Sequence, residues 1–255
     1  MSKLPKENQF LDLSDYGRPV AVFIAKSLKN TSLTPVHVTL AFVVSGLLAV
    51  ICILNQFYWT TVFFLLLKSV LDAADGELAR IKETPSYTGR YLDSVSDIIL
   101  NALILLTIWY VTNGSLFQTF LAFFGLQLQG TLYNYYYVIL RNKHDGDTTS
   151  RIFENKVPTA MKGENQRDVN ILFGLYSLLY GLFDKIIYHM DREAIESKNL
   201  PNWFMTAVST FGLGFQLLII GLMLALDFQE FIIPFFIGYS FLILIFIAVR
   251  RIINR

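Results

Sequence analysis

The sequence predicts an all-α, polytopic membrane protein: six transmembrane helices preceded by an interfacial amphipathic helix. Three observations predict it. Of 255 residues, 54% are hydrophobic and only 16% are charged, whereas soluble domains are about a quarter charged. The mean hydropathy is +0.48. Apolar stretches of about 20 residues, the length of a membrane-crossing helix, recur along the chain.

The elements follow in order. Ser14–Asn30 is too short and too basic to span, and its apolar residues Val20, Val22, Ile24 and Leu28 suit an interfacial amphipathic helix. Ahead of it there is no early apolar region and no small-residue cleavage site. The first span is therefore expected to act as its own insertion signal. Thr34–Leu54 is that span, with Pro35 tolerated in its first turn. Phe57 to about Lys82 begins apolar and ends polar, and Tyr91–Val111 does the reverse. Leu116–Leu140 is interrupted by Gln127, Gln129, Thr131 and Asn134. Phe204–Leu226 and Phe231–Val249 complete the six. Val169–Phe183 is apolar but short, and reads as interfacial, partly inserted, or the start of a broken fifth helix. Asp184–Asn199 behind it reads as a charged cytoplasmic insert.

Basic residues orient the spans. Lys3, Lys6, Arg18, Lys26 and Lys29 precede the first, and Arg250, Arg251 and Arg255 follow the last. Both termini are therefore expected in the cytoplasm, with residues 1–33 as a cytoplasmic leader and 34–255 as the membrane domain. A cytoplasmic loop and insert covers about 141–203. Arg141, Arg151, Lys156 and Arg167 in that loop satisfy the same rule. Tyr135, Tyr136 and Tyr137 read as interfacial anchors. Gly212 and Gly214 read as sites of close helix packing.

Composition also excludes functions. A net charge of +1 gives no basic field for nucleic acid. The three histidines are scattered, and the lone Cys52 can form no disulfide framework.

Four aspartates break the apolar pattern where polarity is costly. Carboxylates at membrane depth mark functional sites. Asp72 and Asp75 are three apart and share a helix face with Ala79, while Arg80 flanks it. Gly89, Asp93 and Asp97 recur every four residues, a second stripe whose carboxylates sit roughly 6 Å apart along the axis. The turn Glu83–Thr88 between them is short, so the helices are antiparallel neighbours. Four carboxylates converging in low dielectric need cations. Oxygen ligands without Cys or His select Mg²⁺, Mn²⁺ or Ca²⁺, and four aspartates suit two ions clamping phosphoryl oxygens. Gly76 and Gly89 leave room for a ligand or the facing helix, and Arg80 offers a donor fork for phosphate.

The pattern Asp72-x-x-Asp75-Gly76-x-x-Ala79-Arg80, then Gly89-x-x-x-Asp93-x-x-x-Asp97, resembles the signature of the CDP-alcohol phosphotransferases at all eight positions. The resemblance implies transfer of a phosphate-linked group from a CDP-activated donor to an alcohol, with release of CMP. It implies two Mg²⁺ ions (Mn²⁺ as substitute) on Asp72, Asp75, Asp93 and Asp97, with Asp97 also the general base. It places Gly76, Ala79, Arg80 and Gly89 along the donor. Ser86 falls where some members touch the donor, or else caps a turn. Relatives are often homodimers. Many members carry an Asn two residues after the threonine that opens the first span; here Thr34, Pro35 and Thr39 remain and Val36 replaces that Asn, leaving Thr39 or His37 to substitute.

Other residues stay open between two roles. Lys68, four before Asp72, either pairs with Asp72 or reaches substrate. Gln127, Gln129, Thr131 and Asn134 either line an acceptor pocket or bond neighbouring helices. The expected function is a phosphotransferase of phospholipid synthesis, with CDP-diacylglycerol as donor, acting on membrane lipid. CDP-choline, CDP-ethanolamine and polyol-phosphate chemistries are the alternatives. A divalent-cation transporter is a more distant one, opposed by the lack of a second aspartate pattern.

Overall fold

A computed structural model describes residues 4–144, 154, 156–197 and 199–255; Lys3 and Arg151 lie outside them. Every regular element among the described residues is helical. Helix α1 (Arg18–Leu28) packs its small residues Ala21 and Ala25 against Ala74 and Leu78. Its Val20 and Phe23 point outward, as an interfacial helix requires.

Helix α2 (Pro35–Leu54) is capped by Thr34, with Pro35 in its first turn and the His37 ring 3.2 Å from the Thr34 backbone N–H. Helix α3 (Tyr58–Ile81) returns beside it. Helix α4 (Tyr87–Thr112) starts four residues earlier than the sequence suggests. The physical reason is a cap: Ser86 Oγ accepts from the Gly89 backbone N–H at 2.8 Å, satisfying a donor that a helix start leaves open. Asn113 then takes a left-handed conformation (φ 49°) and turns the chain into α5 (Leu116–Lys143), which runs back antiparallel to α4.

Helix α6 (Gln166–Met190) is longer than the expected apolar segment and absorbs much of the expected insert. Its charged end stays helical because Asp184 faces a polar cavity. In length and composition α6 could cross a membrane. Its two ends, however, meet the same end of the bundle, where α4 begins and α5 finishes. Just ahead of α6, Glu164 accepts from Ser86 Oγ and the Thr88 backbone N–H, both at 2.7 Å. Behind it, Asp191 accepts from Tyr136 Oη at 2.7 Å and from Arg250 Nε at 2.9 Å. Its middle leans inward, with Phe183 5.2 Å from Phe124.

The segment expected as one span at Phe204–Leu226 is broken. Helix α7 (Asn202–Val208) runs through a short 3₁₀ turn to Gly212, and α8 (Leu213–Ala225) leaves at a 54° bend. Helices α9 (Gln229–Tyr239) and α10 (Leu242–Ile253) complete the bundle. Length and composition mark four spans among the described residues, or five if the bent pair counts as one. Helices α3 and α5, two of the six expected, miss that mark because of the polar residues that build the site. Large apolar side chains such as Leu40, Ile51, Phe120 and Leu244 remain exposed around the bundle. That extent of bare apolar surface fits lipid, not water.

The core divides into an apolar half under Leu65, Ile104 and Ile220 and an aromatic half around Tyr136, Phe204 and Phe211. Tyr135 and Tyr136 belong to the second half and are buried. They are not interfacial anchors: Asp191 satisfies both phenols, through its backbone carbonyl at 3.1 Å and its carboxylate. Gly212 gives room to the N-terminal segment, and Gly214 to that segment and to α3, whose Ser69 Oγ would lie 2.9 Å from a Cβ there. A Cβ on Gly214 would collide with the backbone carbonyl of Ser14.

Candidate active site

Helices α3 and α4 bring their aspartates together as the spacing predicts. Asp72, Asp75 and Asp93 each place a carboxylate oxygen within 4.8 Å of the others. Asp75 is buried and accepts from Thr39 Oγ1 at 2.6 Å. Thr39 of α2 is thus the residue that reaches the carboxylates where Val36 cannot, while His37 serves the helix cap. Asp93 Oδ1 is buried without a hydrogen-bond partner among the described residues. An unpaired buried carboxylate oxygen is costly, and a divalent cation held by hard oxygen ligands would satisfy it. The residues present fit such an ion.

Asp97 stands apart from this group. Its Oδ1 accepts from Lys68 Nζ at 2.6 Å, and the lysine side chain is fully buried. Lys68 also lies over the Phe42 ring at 4.9 Å. The lysine therefore pairs with Asp97 and not with Asp72. Four residues along one helix give a shared face, but the facing helix offered a carboxylate at closer range.

Two cavities meet at Asp75 and Asp93 of this group, and Asp72 lines the larger of them. Gly76, Ala79, Arg80, Ser86 and Gly89 line one, of about 380 Å³, together with Asp75 and Asp93. Gly76 faces open space there: a Cβ on it would meet only the Arg80 guanidinium, at an ordinary 3.6 Å. No facing helix demands the glycine, so the room is available to a ligand. Arg80 is anchored by Glu77 at 2.7 Å, and its Nε has no partner. Ser86 fills both of its expected places, as helix cap and as cavity lining.

The other cavity, of about 400 Å³, holds all four aspartates at one side. Gln127, Thr131 and Asn134 of α5 line it, whereas Gln129 bonds neighbouring helices through Gln216 (3.1 Å) and Ser240 (2.9 Å). Of the four polar residues of α5, three thus line a cavity and one bonds neighbouring helices. Of the basic residues expected in the loop, Lys156 is exposed beyond α5 and Arg167 is exposed in the first turn of α6; Arg141 is buried in α5, 5.1 Å from the Tyr137 ring.

Some contributors escaped the sequence reading. Tyr176, Tyr180 and Asp184 of α6 enter the larger cavity as one stripe. Their spacing of four was visible, but nothing told that this helix lies over the aspartates. Asp12 and Asp15 of the N-terminal segment line the same cavity. Asp12 accepts from Tyr133 Oη at 2.5 Å.

The fold and the site together define a class: a helical membrane protein with a carboxylate centre fit for a divalent cation. Comparison then gives the family. A family model for CDP-alcohol phosphatidyltransferases matches residues 32–162, half of the chain, and the chain belongs to that family. It is a phosphotransferase enzyme, and the family uses divalent metals. No curated protein matches the chain.

Proposed function

We propose that this enzyme transfers a substituted phosphate from a CDP-linked donor, CDP-diacylglycerol foremost, to an alcohol, releasing CMP in phospholipid synthesis. The observation that carries this reading is the meeting of Asp72, Asp75 and Asp93 at the boundary of two cavities. One cavity has the signature residues for a donor, and the other has polar walls for an acceptor. Asp72, Asp75 and Asp93 would hold magnesium, and Asp97 would complete a second site. When bound, the metal supplies positive charge to the phosphoryl oxygens and the departing CMP.

The chain's own residues bind and orient. Gly76, Ala79, Arg80, Ser86 and Gly89 hold the cytidine and its phosphates. Asp97, oriented by Lys68, takes the proton of the acceptor hydroxyl. The acceptor oxygen forms its bond to phosphorus as the bond from phosphorus to the CMP oxygen breaks. The site faces the cytoplasm, a reading supported by the basic residues at both ends of the chain.

The test is CMP release by the purified protein in detergent micelles with Mg²⁺, labelled CDP-diacylglycerol and a panel of alcohols. CMP should appear with one class of alcohol, stop with a chelator, and fall at least about a hundredfold in Asp93→Asn, the scale of a lost charge-stabilising contact. Absence of CMP with every CDP-linked donor and every alcohol would sink the reading.

A further inference from the structure

The larger cavity has a charge balance that bears on its ligand. Eight carboxylates line it among the described residues, against three guanidiniums. Each guanidinium already has a carboxylate partner. Arg18 pairs with Asp15, Arg80 with Glu77 at 2.7 Å, and Arg90 with Glu154 at 2.5 Å. The Lys68 ammonium behind the wall is taken by Asp97. Divalent ions at the grouped aspartates would offset much of the negative excess, and the donor's diphosphate would then restore it. A phosphorylated alcohol entering beside them would meet repulsion, because among the described residues every cationic side chain that lines this cavity is already in an ion pair.

Helix α6 gives the same cavity a wall with recognition of another kind. Tyr176, Tyr180 and Asp184 follow one another at intervals of four along α6, a single face. The two tyrosine rings stack at 5.2 Å, and Tyr180 Oη is tied to the Ser94 carbonyl at 2.9 Å. That bond fixes the ring pair. Asp184 has no ion-pair partner among the described residues; burial, and after it the like charge of Glu154, push its carboxyl up to about 7, and a cation beside it would favour the ionised form. A carboxylate beside fixed aromatic faces is the chemistry that receives an ammonium group.

A second, independent feature points into the same space. Gln127 is 5% exposed and lines the cavity, yet its Nε2 has no hydrogen-bond partner among the described residues. A buried amide donor left open needs an acceptor, and a hydroxyl or ester oxygen would provide one. The stripe on α6 also lies beyond residue 162, where the family match ends.

We propose that this wall is a headgroup pocket for a short alcohol bearing an ammonium group, with Asp184 as the counter-ion, Tyr176 and Tyr180 as the aromatic faces, and Gln127 as donor to an oxygen. The inference rests on the phosphotransferase reading and names its substrate class. The same headgroup can arrive in two ways: as a free amino alcohol attacking CDP-diacylglycerol, or already joined to CDP and attacked by a diglyceride. The pocket lies beyond the aspartates from the donor cavity in either case.

The experiment measures CMP release by the full-length protein in micelles with Mg²⁺. One arm offers CDP-diacylglycerol with ethanolamine, choline, serine, glycerol, inositol, glycerol phosphate or inositol phosphate. The other offers CDP-ethanolamine or CDP-choline with diacylglycerol. The expected result is release only where an ammonium-bearing headgroup is present, and the productive arm identifies its source. Asp184→Asn should raise KM for that component roughly tenfold or more, the loss of one charge contact, while KM for the other substrate and the melting temperature hold. Higher kcat/KM with a phosphorylated or uncharged polyol would overturn the inference and leave the phosphotransferase reading standing, as would an unchanged KM in Asp184→Asn. No CMP in any pairing would overturn both.

Discussion

Lys68 Nζ lies 2.6 Å from Asp97 Oδ1, and the lysine is fully buried inside the helix pair that carries the aspartates. Two opposite charges held in low dielectric depend on each other: removing one leaves the other uncompensated, at about 3–5 kcal/mol. Lys68→Met is therefore expected to lower the melting temperature in detergent more than Asp97→Asn does, because an amide still accepts from the ammonium. The double variant Lys68→Met/Asp97→Asn should recover much of the loss. Additive losses in that thermal comparison would show that the pair is not coupled. Under the proposed chemistry Asp97→Asn also keeps metal binding at Asp72, Asp75 and Asp93, read by Mn²⁺ resonance, and loses transfer.

Much of the site was legible because helical spacing is rigid. Asp72 and Asp75, three apart on one helix, meet Asp93 of the next across a short turn, as that spacing requires. Thr39 was one of two residues expected to stand in for the Asn that Val36 replaces, and it meets Asp75. What spacing could not give was the choice of partner across helices. Lys68 shares a face with Asp72 but bonds Asp97, a matter of which carboxylate the opposite helix presents. Nor could it give the course of α6: an apolar run reads the same whether the helix crosses a bilayer or lies over the bundle's end. The ties that set its course, Glu164 to Ser86 and Asp191 to Arg250, join residues 78 and 59 positions apart.

Glu164 makes one of those ties pH-dependent. Burial alone would raise its carboxyl, but hydrogen bonds from Ser86 Oγ and from the Thr88 and Met161 backbone N–H groups prevail and hold it below the usual glutamate range. A depressed folded value means that the ionised form stabilises the fold. That contribution is complete above the ordinary glutamate value of about 4.3 and is lost as pH falls through the lower folded value. Hydrogen-exchange protection of the Thr88 amide should therefore decline below about pH 4 and stay level from pH 5 to 8. Glu164→Gln should flatten that dependence. Protection that declined equally in the glutamine variant would assign the effect to other groups.

The N-terminal segment is held at the break between α7 and α8 by contacts that leave no room for a side chain. Leu13 donates its backbone N–H to Ser209 Oγ at 2.9 Å, and Ser14 sits against both Gly212 and Gly214. At Gly214 the obstacle to a Cβ is the backbone carbonyl of Ser14, which cannot swing aside as a side chain would. Ser69 Oγ of α3 closes the other side at 2.9 Å. Gly214→Ala should therefore cost about 1–3 kcal/mol, the usual range for an overpacked site, and should release the segment rather than straighten the 54° bend. Limited proteolysis reads the difference: cleavage between residues 6 and 15 should accelerate in Gly214→Ala, while cuts within α8 stay rare. Because Asp12 and Asp15 line the larger cavity, the same variant should also weaken substrate binding without touching an aspartate of the metal group. Equal resistance of wild type and variant in the digest would mean that Ser14 does not depend on the glycine.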